Sequence, residues 1–385
     1  MNADRPCVFI SVYRRSSAAI CSFSRYVAAA VFLLVTASAQ GAITLDSPRE
    51  YQVFQRETKD AGKIVVRGRA AEGCDAAEAA IKRRWHRLRV ASGCLFDGVL
   101  AAPAGGWYTL AVRLRRKGRI TAGFSVAHVG IGEVFVISGQ SNSTNYGEEL
   151  QSARSKMVST FNGTDWLVAN DPQPGVQDGS RRGSFIPAFG DALYERLKVP
   201  VGVACVGSGG TSVRQWLPKG DRFHSPPASP KYFTQVSEHE WESDGRLFDG
   251  MVERIRQLGR GGFRALLWHQ GESDAHQAPG HEITGAEYRG MMERLIGAVR
   301  SATWDFPWMV AQVSYHTPAD TSSPEIRGAQ ASLWKDGLAL EGPDTDTLTG
   351  ENRQNGGTGV HMSAKGLQAH GGMWAEKVGQ WISRH

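Results

Sequence analysis

The strongest constraint on the fold is a series of four short apolar runs that alternate with helix-like segments. The runs are VFVIS (134–138), PVGVACVG (200–207), RALLWHQG (264–271) and WMVAQVS (308–314). Helical spacing of apolar residues occurs in FGDALYERL (189–197), LFDGMVERIRQLG (247–259) and YRGMMERLIGAVRSA (288–302), and a last helix is expected to open at Ser363. Strands alternating with helices predict an α/β fold with a parallel sheet covered on both faces. In such sheets, functional sites gather where strands end and helices begin.

A different pattern precedes this region. Residues 42–130 contain short segments of alternating apolar and polar residues, broken by Gly, Pro and Asp, which predict a small β-sandwich accessory domain before an α/β domain over 131–385. Within it, CDAAEAAIK (73–81) leans helical by composition, and Trp107 is a candidate for sugar contact. The polar stretch 217–243 carries aromatic residues and is expected to be an ordered surface loop.

The N-terminus has the features of an export signal. Basic residues precede an apolar core, YVAAAVFLLVT (26–36), and Ala37-Ser38-Ala39 fits a small-x-small cleavage site. The apolar core is shorter than the roughly 20 residues that cross a bilayer. We therefore expect residues 1–41 to be a signal peptide, cleaved near Ala39 to Ala42, and the protein to be secreted or periplasmic. An uncleaved anchor is the alternative.

Charge and cysteine content exclude several classes of protein. The formal charge is +6, of which the first 39 residues contribute +3, and the remaining excess is interpreted as spread along the chain, so no nucleic-acid partner is expected. In an oxidising compartment Cys74 and Cys94 could pair, whereas Cys205 lies in an apolar run and is expected to be a buried thiol. Neither a CxxC nor an HExxH spacing occurs, so no metal site is expected.

Two glycine-containing turns follow the first two apolar runs. Gly139-Gln140-Ser141-Asn142 could hold Ser141 as a nucleophile, with Gly139 allowing a sharp bend. It is not a GxSxG elbow, because Ser143 occupies the position of the second glycine. The second turn, GSGGTS (207–212), lacks the lysine of a P-loop, so it could cradle phosphate or line a small cavity with bare N–H groups.

Two further motifs carry titratable groups. WHQGESD (268–274) places an amide and two carboxylates just past a buried strand, where Gln270 could donate hydrogen bonds to an oxyanion. Glu272 and Asp274 are only two positions apart, which disfavours a glycosidase pair. In GVHMS (359–363), His361 precedes the last helix and is a candidate general base.

Taken in order, GQSN, GGTS, WHQGESD and GVH resemble the SGNH-hydrolase superfamily, and specifically its sialate O-acetylesterase-like branch, from about Gly132 to the C-terminus. The resemblance implies a flavodoxin-like three-layer α/β/α domain, often with an accessory sandwich. It implies that Ser141 is the nucleophile and His361 the base. The oxyanion donors would be the N–H groups of Ser141 and Gly210 and the side-chain amide of Gln270.

One position departs from the SGNH pattern. Most of these enzymes carry an Asp three residues before the histidine, and Thr358 stands there in this chain. A carboxylate at that point fixes the tautomer of the histidine and stabilises the imidazolium. The alternatives are a dyad oriented by Thr358 or a carbonyl, an inactive site, or a carboxylate from elsewhere, for which the candidates are Glu272, Asp274, Asp344 and Asp346.

The expected activity is removal of O-acetyl groups from a sugar, either sialic acid or an acetylated polysaccharide fragment, through an acetyl-Ser141 intermediate and without a cofactor. The rival hypotheses are a weak or inactive carbohydrate-binding protein on the same scaffold and a sugar O-acetyltransferase. Asn142, Arg214 and Trp268 are the candidates for substrate binding, with Arg214 placed to pair a sialate carboxylate. The expected partner is a small-molecule or oligosaccharide substrate, with no membrane contact after signal cleavage, and the sequence leaves the oligomeric state open.

Overall fold

The computed structural model describes residues 43–384, so the predicted signal peptide and its cleavage site lie outside the described residues. Its first part consists of strands. These are β1 (Ile43–Ser47), β2 (Gln52–Gln55), β3 (Ala61–Ala70), β4 (Ala76–Ile81), β5 (Arg84–Ala91), β6 (Leu95–Pro103), β7 (Gly105–Arg116) and β8 (Arg119–Gly139). A single 3-10 turn, Ser92–Cys94, interrupts them.

The second part alternates strands and helices. It contains β9 (Val158–Phe161), β10 (Trp166–Val168), α1 (Ile186–Leu197), β11 (Val201–Cys205), β12 (Arg222–Phe223), β13 (Phe233–Ser237), β14 (Glu240–Ser243), α2 (Arg246–Leu258), β15 (Ala265–His269), α3 (Glu272–Ala275), α4 (Gly285–Ala302), β16 (Trp308–Gln312), α5 (Pro324–Lys335), β17 (Leu340–Asp344), α6 (Gln354–Gly357) and α7 (Ala364–Arg384). Short 3-10 turns lie at Ser141–Ser143, Val213–Trp216, Thr345–Thr347 and Gly350–Asn352.

The expected α/β fold is present. Strands β9, β11, β8, β15, β16 and β17 lie side by side in that order and are parallel, and β10 is added antiparallel at the edge beside β9. Consecutive residues of β8 face opposite sides of the sheet: Val134 and Val136 pack toward α2, α4 and α5, whereas Phe135 and Ile137 pack toward α1 and α7. Because both faces are covered, β8 needs an uninterrupted apolar run here.

The helix ends agree with their sequence signals. Helix α2 ends at Leu258, and Gly259 follows with φ +80°, a left-handed conformation that glycine adopts without a steric cost. The hydroxyl of Ser363 accepts a hydrogen bond from Gly366 N–H at 3.1 Å, so it caps the start of α7. Both boundaries confirm the sequence-based predictions.

The strand-rich part has a hydrophobic cluster of its own. The residues from β1, β3 and β6 that contribute to it pack against residues from β4, β7 and β8, an arrangement typical of two facing sheets. The expected boundary at residue 130 falls inside β8, which continues from this cluster into the parallel sheet. β8 therefore runs out of the strand-rich part and ends just before the turn that carries Ser141.

Three local predictions are settled by the structure. The segment 73–81 is not helical: β4 lies between β5 and β7, where Ala77 and Ala79 are fully buried and cross-strand packing overrides the helical composition. The stretch 217–243 forms a three-stranded antiparallel sheet, β12–β14–β13, rather than a plain loop. Cys74 and Cys94 form a disulfide with their Cα atoms 5.5 Å apart.

The third cysteine is Cys205, a buried free thiol in β11, as expected. Its burial raises the thiol pKa to about 12, so the thiol is not ionised near neutral pH. None of the helices in the described part of the chain is both long and apolar enough to cross a membrane.

Candidate active site

The turn that carries Ser141 begins where β8 ends. Gly139 has φ +130°, and a Cβ atom there would lie 2.0 Å from the carbonyl oxygen of His269 in the neighbouring strand β15. Only glycine allows the two strands to approach this closely. Gln140 N–H then donates to the same carbonyl at 2.9 Å, which fixes the direction of the turn. Ser141 is 5% exposed, and its hydroxyl has no hydrogen-bond partner within residues 43–384.

The candidate base, His361, lies in the loop between α6 and α7. Its carbonyl oxygen accepts a hydrogen bond from Gln354 N–H at 2.9 Å, and its ring packs against Tyr146 with centroids 5.0 Å apart. Burial lowers the His361 pKa to about 4, against the opposing effect of the Glu272 carboxylate. The imidazole is therefore neutral near neutral pH, as a proton acceptor must be.

The side chain nearest to the Nδ1 atom of His361 is that of Gln354, whose Nε2 atom lies 3.1 Å away. Gln354 Oε1 is buried and, in the described chain, has no hydrogen-bond partner. Turning the amide by half a turn exchanges Nε2 and Oε1, and the hydrogen-bond network favours this orientation because it gives the buried Oε1 a partner. In that orientation Oε1 accepts from Nδ1–H, and the Nε2 atom of His361 is left free to take a proton from a substrate or nucleophile.

Ser141, Gly210 and His361 line one pocket of about 400 Å³ at the carboxyl ends of the parallel strands. The rest of the lining is formed by Gln140, Tyr146, Gly209, Ser212, Pro227, Ala228, Ser229, Glu272, Ser273, His276, Gln277, His316 and Val360. A larger cleft of about 1130 Å³ lies between the strand-rich part and α2, and none of the three residues lines it. The smaller pocket is thus the one that matches the sequence motifs.

Gly210 presents a backbone donor to this pocket. It has φ +69°, and no atom lies within 4 Å of the position that a Cβ atom would take. Its N–H group has no hydrogen-bond partner in the part of the chain that the structure describes. The preceding Gly209 N–H donates to Asp178 Oδ2 at 2.5 Å, and Asp178 also accepts from Thr144, so one carboxylate fixes the Gly209 loop and the Ser141 turn together.

The two glutamines near Ser141 have different surroundings. Gln140 Oε1 accepts from the N–H groups of Gly271 at 3.3 Å and Ser273 at 3.0 Å, which sets the amide so that Nε2 lies at the pocket without a partner in the described residues. Gln270 is fully buried, and its Nε2 donates to Asp274 Oδ2 at 2.6 Å and to Thr211 O at 3.1 Å. The expected third donor, Gln270, therefore does not reach the pocket in this structure, whereas Gln140 does.

Asn142 links the serine turn to the histidine loop. Its Nδ2 atom donates to Glu272 Oε1 at 2.8 Å and to the carbonyl oxygen of Val360 at 3.3 Å. Asn142 is 7% exposed and does not line the pocket, so its expected role in substrate binding is replaced by a structural one.

Glu272 does line the pocket, but no hydrogen bond joins it to His361. Burial acts to raise the pKa of Glu272, and the His269 ring and the Asn142 amide outweigh that effect, so the net shift is downward. Glu272 Oε2 is buried and has no partner in the described chain. The carboxylate therefore acts on His361 through its charge.

Arg214 and Asp274 belong to a buried network. Arg214 is 0% exposed; its guanidinium donates to Ser212 Oγ at 2.8 Å and to the carbonyl oxygen of His281 at 3.0 Å, and it lies 3.6 Å from Asp274. Asp274 also accepts from Val213 N–H at 2.9 Å. Neither side chain is available to a ligand, because both are enclosed and hydrogen-bonded, so Arg214 does not take its expected place at a substrate carboxylate.

The remaining predicted site residues lie away from the pocket. Trp268 is fully buried against Trp216, with ring centroids 5.2 Å apart, and belongs to the core. Thr358 is exposed and donates to the carbonyl oxygen of Asn355 at 2.9 Å, so it does not orient His361. Asp344 and Asp346 pair with Arg327 and are not the missing carboxylate. Trp107 donates to the carbonyl oxygen of Lys156.

Sequence reasoning missed four residues: Gln140, Tyr146, Asp178 and Gln354. Gln140 belongs to the GQSN motif, but the sequence pattern alone assigns its amide no role. Gln354 lies seven residues before His361, and no spacing rule connects them, because the intervening chain folds back through three residues of positive φ, Asn355, Gly356 and Gly357.

A group of possible metal ligands lies at the pocket rim. His276, His316 and Asp320 each have one ligand atom within 4.8 Å of the others. The two ring nitrogens of His276 already contact Asp320 and the carbonyl oxygen of Ser314, however, and the ring stacks on His316. A ring engaged at both nitrogens offers no lone pair to a metal ion, so these residues do not fit a metal centre.

A parallel α/β sheet that brings a serine, a neutral histidine and an unpartnered N–H group to one pocket has the arrangement of groups that serine esterases use. The model of the family described as carbohydrate esterase, sialic acid-specific acetylesterase, matches residues 131–380. The chain therefore belongs to this family of carbohydrate acetylesterases within the SGNH superfamily, as the motifs suggested.

Among solved structures, a carbohydrate acetylesterase from Xanthomonas citri is similar at 17% identity, covering 89% of this chain and 76% of its own, with a TM-score of 0.55. A protein from Arabidopsis thaliana is 18% identical, covers 66% of this chain and 98% of its own, and has a TM-score of 0.45. NanS is 13% identical, covers 66% of this chain and 96% of its own, and has a TM-score of 0.44. No curated protein matches the chain.

Proposed function

We propose that this protein removes O-acetyl groups from a sugar, sialic acid or an acetylated polysaccharide fragment, through an acetyl-Ser141 intermediate. The observation that carries the proposal is that Ser141, His361 and the free N–H of Gly210 line one pocket. Membership of the carbohydrate acetylesterase family supplies the reaction class.

The first half of the reaction forms the acetyl-enzyme. Ser141 Oγ attacks the acetyl carbonyl carbon while its proton passes to His361 Nε2. The resulting oxyanion accepts hydrogen bonds from the N–H groups of Ser141 and Gly210 and from the side-chain amide of Gln140. His361 then donates its proton to the departing sugar oxygen, and the C–O bond to the sugar breaks.

The second half releases acetate. A water molecule gives a proton to His361 Nε2 and attacks the acetyl carbon, the same donors hold the second oxyanion, and the proton returns to Ser141 as acetate leaves. Gln354 acts as a positioning residue in both halves, because an acceptor at Nδ1 keeps the other ring nitrogen available. The charge of Glu272 stabilises the imidazolium, as its effect on the His361 pKa indicates.

The test is acetate release from an aryl acetate and from a panel of acetylated sialic acids and xylan oligosaccharides, with wild-type and Ser141→Ala proteins. We expect Ser141→Ala to lose about 10³-fold or more in kcat, since removal of a nucleophile leaves only binding and oxyanion contributions. Full activity in that variant would refute the proposal. Transfer of the acetyl group to an added sugar, in place of acetate release, would identify the protein as a sugar O-acetyltransferase.

We also propose that residues 1–41 direct export and are removed. The Cys74–Cys94 disulfide supports this, because such bonds persist in oxidising compartments. Mass spectrometry of the exported protein should give a mature N-terminus between Ala39 and Ala42. An intact N-terminus on the exported protein would indicate an anchor instead.

A further inference from the structure

The basic charge of this protein is concentrated on one part of the strand-rich region. Residues 82–119 contain ten lysines and arginines and a single acidic residue, Asp97, whereas the whole chain has a net charge of only +6. The sequence-based interpretation of a spread basic excess is therefore wrong, and the rest of the chain is net acidic.

The strand pairing brings part of this charge onto one surface. In the antiparallel register Glu78 of β4 lies directly opposite Arg87 of β5 on one side and Arg113 of β7 on the other, so their side chains share a face. The opposite face carries Ala77 and Ala79, which are buried in the core. We call the exposed side of β4, β5 and β7, together with the turns at 82–83 and 117–118, the basic sheet face.

Most of the cations on the basic sheet face are unpaired. Glu78 accepts from Arg113 at 2.6 Å and from Arg115 at 2.9 Å, and Asp97 pairs with Arg89. In the described residues, four exposed cations of this face have no carboxylate within ion-pair distance: Lys82, Arg83, Arg87 and Lys117. Arg84, Arg116 and Arg119 are also exposed and without an ion pair, but the register places them on the other side of the strands, since Arg84 lies opposite Ile81 and Arg116 opposite Arg119. The two turns lie at opposite ends of this face, because Ile81 pairs with Leu110 and Ala76 with Arg115, so the unpaired cations are spread along its length and favour an extended anion.

The backbone of the two turns determines how the charge on this face can be tested. Lys82 and Arg83 form a two-residue hairpin turn with φ +50° and +66°, and Lys117 has φ +49° ahead of Gly118. Such turns favour Asn-Gly, because side chains with a Cβ atom are strained at positive φ. Basic residues therefore occupy three positions where the backbone disfavours them. Lys156 and Lys198 have the same conformation elsewhere on the surface, so positive φ does not assign a function by itself; it marks turn positions where the charge can be removed without loss of stability.

An aromatic ring completes the surface. Trp85 is 38% exposed, and the Arg113 guanidinium lies 3.8 Å from its ring centroid. An exposed tryptophan beside cations suits a partner that has both apolar ring faces and negative charge. An acidic polysaccharide has both.

We propose that the basic sheet face binds an acidic polysaccharide, such as a polyuronide, and holds it on the protein at a distance from the pocket. The face lies beside the start of β8 and Ser141 follows the end of that strand, which is twenty-one residues long and runs from Arg119 to Gly139. This binding does not depend on the proposed reaction, so the two proposals can fail separately.

The test measures binding of the mature protein to polygalacturonate by affinity electrophoresis, with neutral dextran and duplex DNA in parallel. We expect binding to polygalacturonate at about 0.05 M salt and release near 0.5 M, because exposed charges are screened. The variant Lys82→Asn, Arg83→Gly, Lys117→Asn gives both turns the residues that they favour, so it should fold at least as well as wild type. It should bind about 10-fold more weakly or worse.

The matched control is Lys59→Asn, Lys156→Asn, Lys198→Asn, which removes the same number of exposed charges elsewhere, two of them also at positive φ. It should bind as wild type does, and both variants should hydrolyse an aryl acetate normally. Equal weakening in the control, equal binding to dextran, tighter binding to DNA, or no binding to polygalacturonate would each overturn the proposal. If the wild-type protein does not hydrolyse an aryl acetate, that result would contradict the proposed reaction but not the polysaccharide binding.

Discussion

Gln354 and His361 are joined twice: the backbone N–H of Gln354 donates to the carbonyl oxygen of His361 at 2.9 Å, and its side-chain amide lies 3.1 Å from Nδ1. Gly359 leaves space for this contact, since a Cβ atom there would lie 2.3 Å from Gln354 Cγ. A neutral amide thus occupies the position beside Nδ1 that an aspartate holds in most SGNH enzymes. Thr358 does not supply a partner for Nδ1; Gln354, four positions earlier, does.

The Gln354–His361 contact predicts opposite outcomes for two substitutions. Gln354→Met removes the acceptor and should lower kcat by roughly 10- to 100-fold with little change in KM, less than the ~10⁴-fold loss when a charged orienting group fails. Gln354→Glu supplies a charged acceptor, so activity should be retained and the His361 pKa should rise. The measurement is kcat and KM for an aryl acetate across pH.

The pH profile separates positioning from a merely structural role. A raised His361 pKa in Gln354→Glu should move the acidic limb of kcat/KM to higher pH, because only the neutral imidazole accepts a proton. Thr358→Ala is the control and should match wild type, since the exposed Thr358 hydroxyl donates to the carbonyl oxygen of Asn355. An unmoved limb in Gln354→Glu would argue against the contact.

The wild-type enzyme should stay active in mildly acidic solution. Burial lowers the His361 pKa to about 4, so kcat/KM should fall only as the pH approaches that value. Stability should fall over a wider range: the unfolded histidine binds a proton below its ordinary value of 6.5, and the folded one does so only near 4. Between these values the loss is roughly 1.4 kcal/mol per pH unit for this group.

Activity and thermal unfolding measured from pH 4 to pH 8 will check both statements. His370 is fully buried and its pKa is also lowered by burial, so it adds to the loss of stability in acid. A half-activity point near 6.5 would show that His361 titrates as an exposed histidine does.

Gln140 and Gln270 should give different kinds of variant. Gln140→Leu removes a donor at the pocket and should lower kcat by about 10²-fold with KM little changed, the usual loss for one oxyanion donor. Gln270→Leu leaves Asp274 without its 2.6 Å donor and should mainly lower the free energy of unfolding. The reverse result, in which Gln270→Leu folds with wild-type stability and loses kcat, would return the donor role to Gln270.

Arg214→Leu tests a buried network and not a substrate contact. The substitution leaves Asp274 buried without its cation, a change that costs about 3–5 kcal/mol. Burial already raises the Asp274 pKa despite Arg214, so that carboxyl would take up a proton in the variant. We expect a lower melting temperature by differential scanning calorimetry. Unchanged stability with a raised KM for acidic sugars alone would restore the original assignment.

Much of this protein follows from sequence patterns. The period of apolar residues determined the α/β order and the double-sided burial of β8, because side-chain direction follows directly from strand and helix geometry. Four motifs in order identified the family and singled out Ser141, Gly210 and His361, which the structure brings to one pocket.

Tertiary structure decided what the motifs left open. Arg214, Trp268 and Asn142 carry suitable chemistry at suitable positions, yet burial and hydrogen bonds direct them inward. The choice between Gln140 and Gln270 depends on which amide is already satisfied, and the choice of Gln354 depends on a chain reversal at positive φ. A side chain's partners are set by packing across distant segments, and local sequence does not encode that packing.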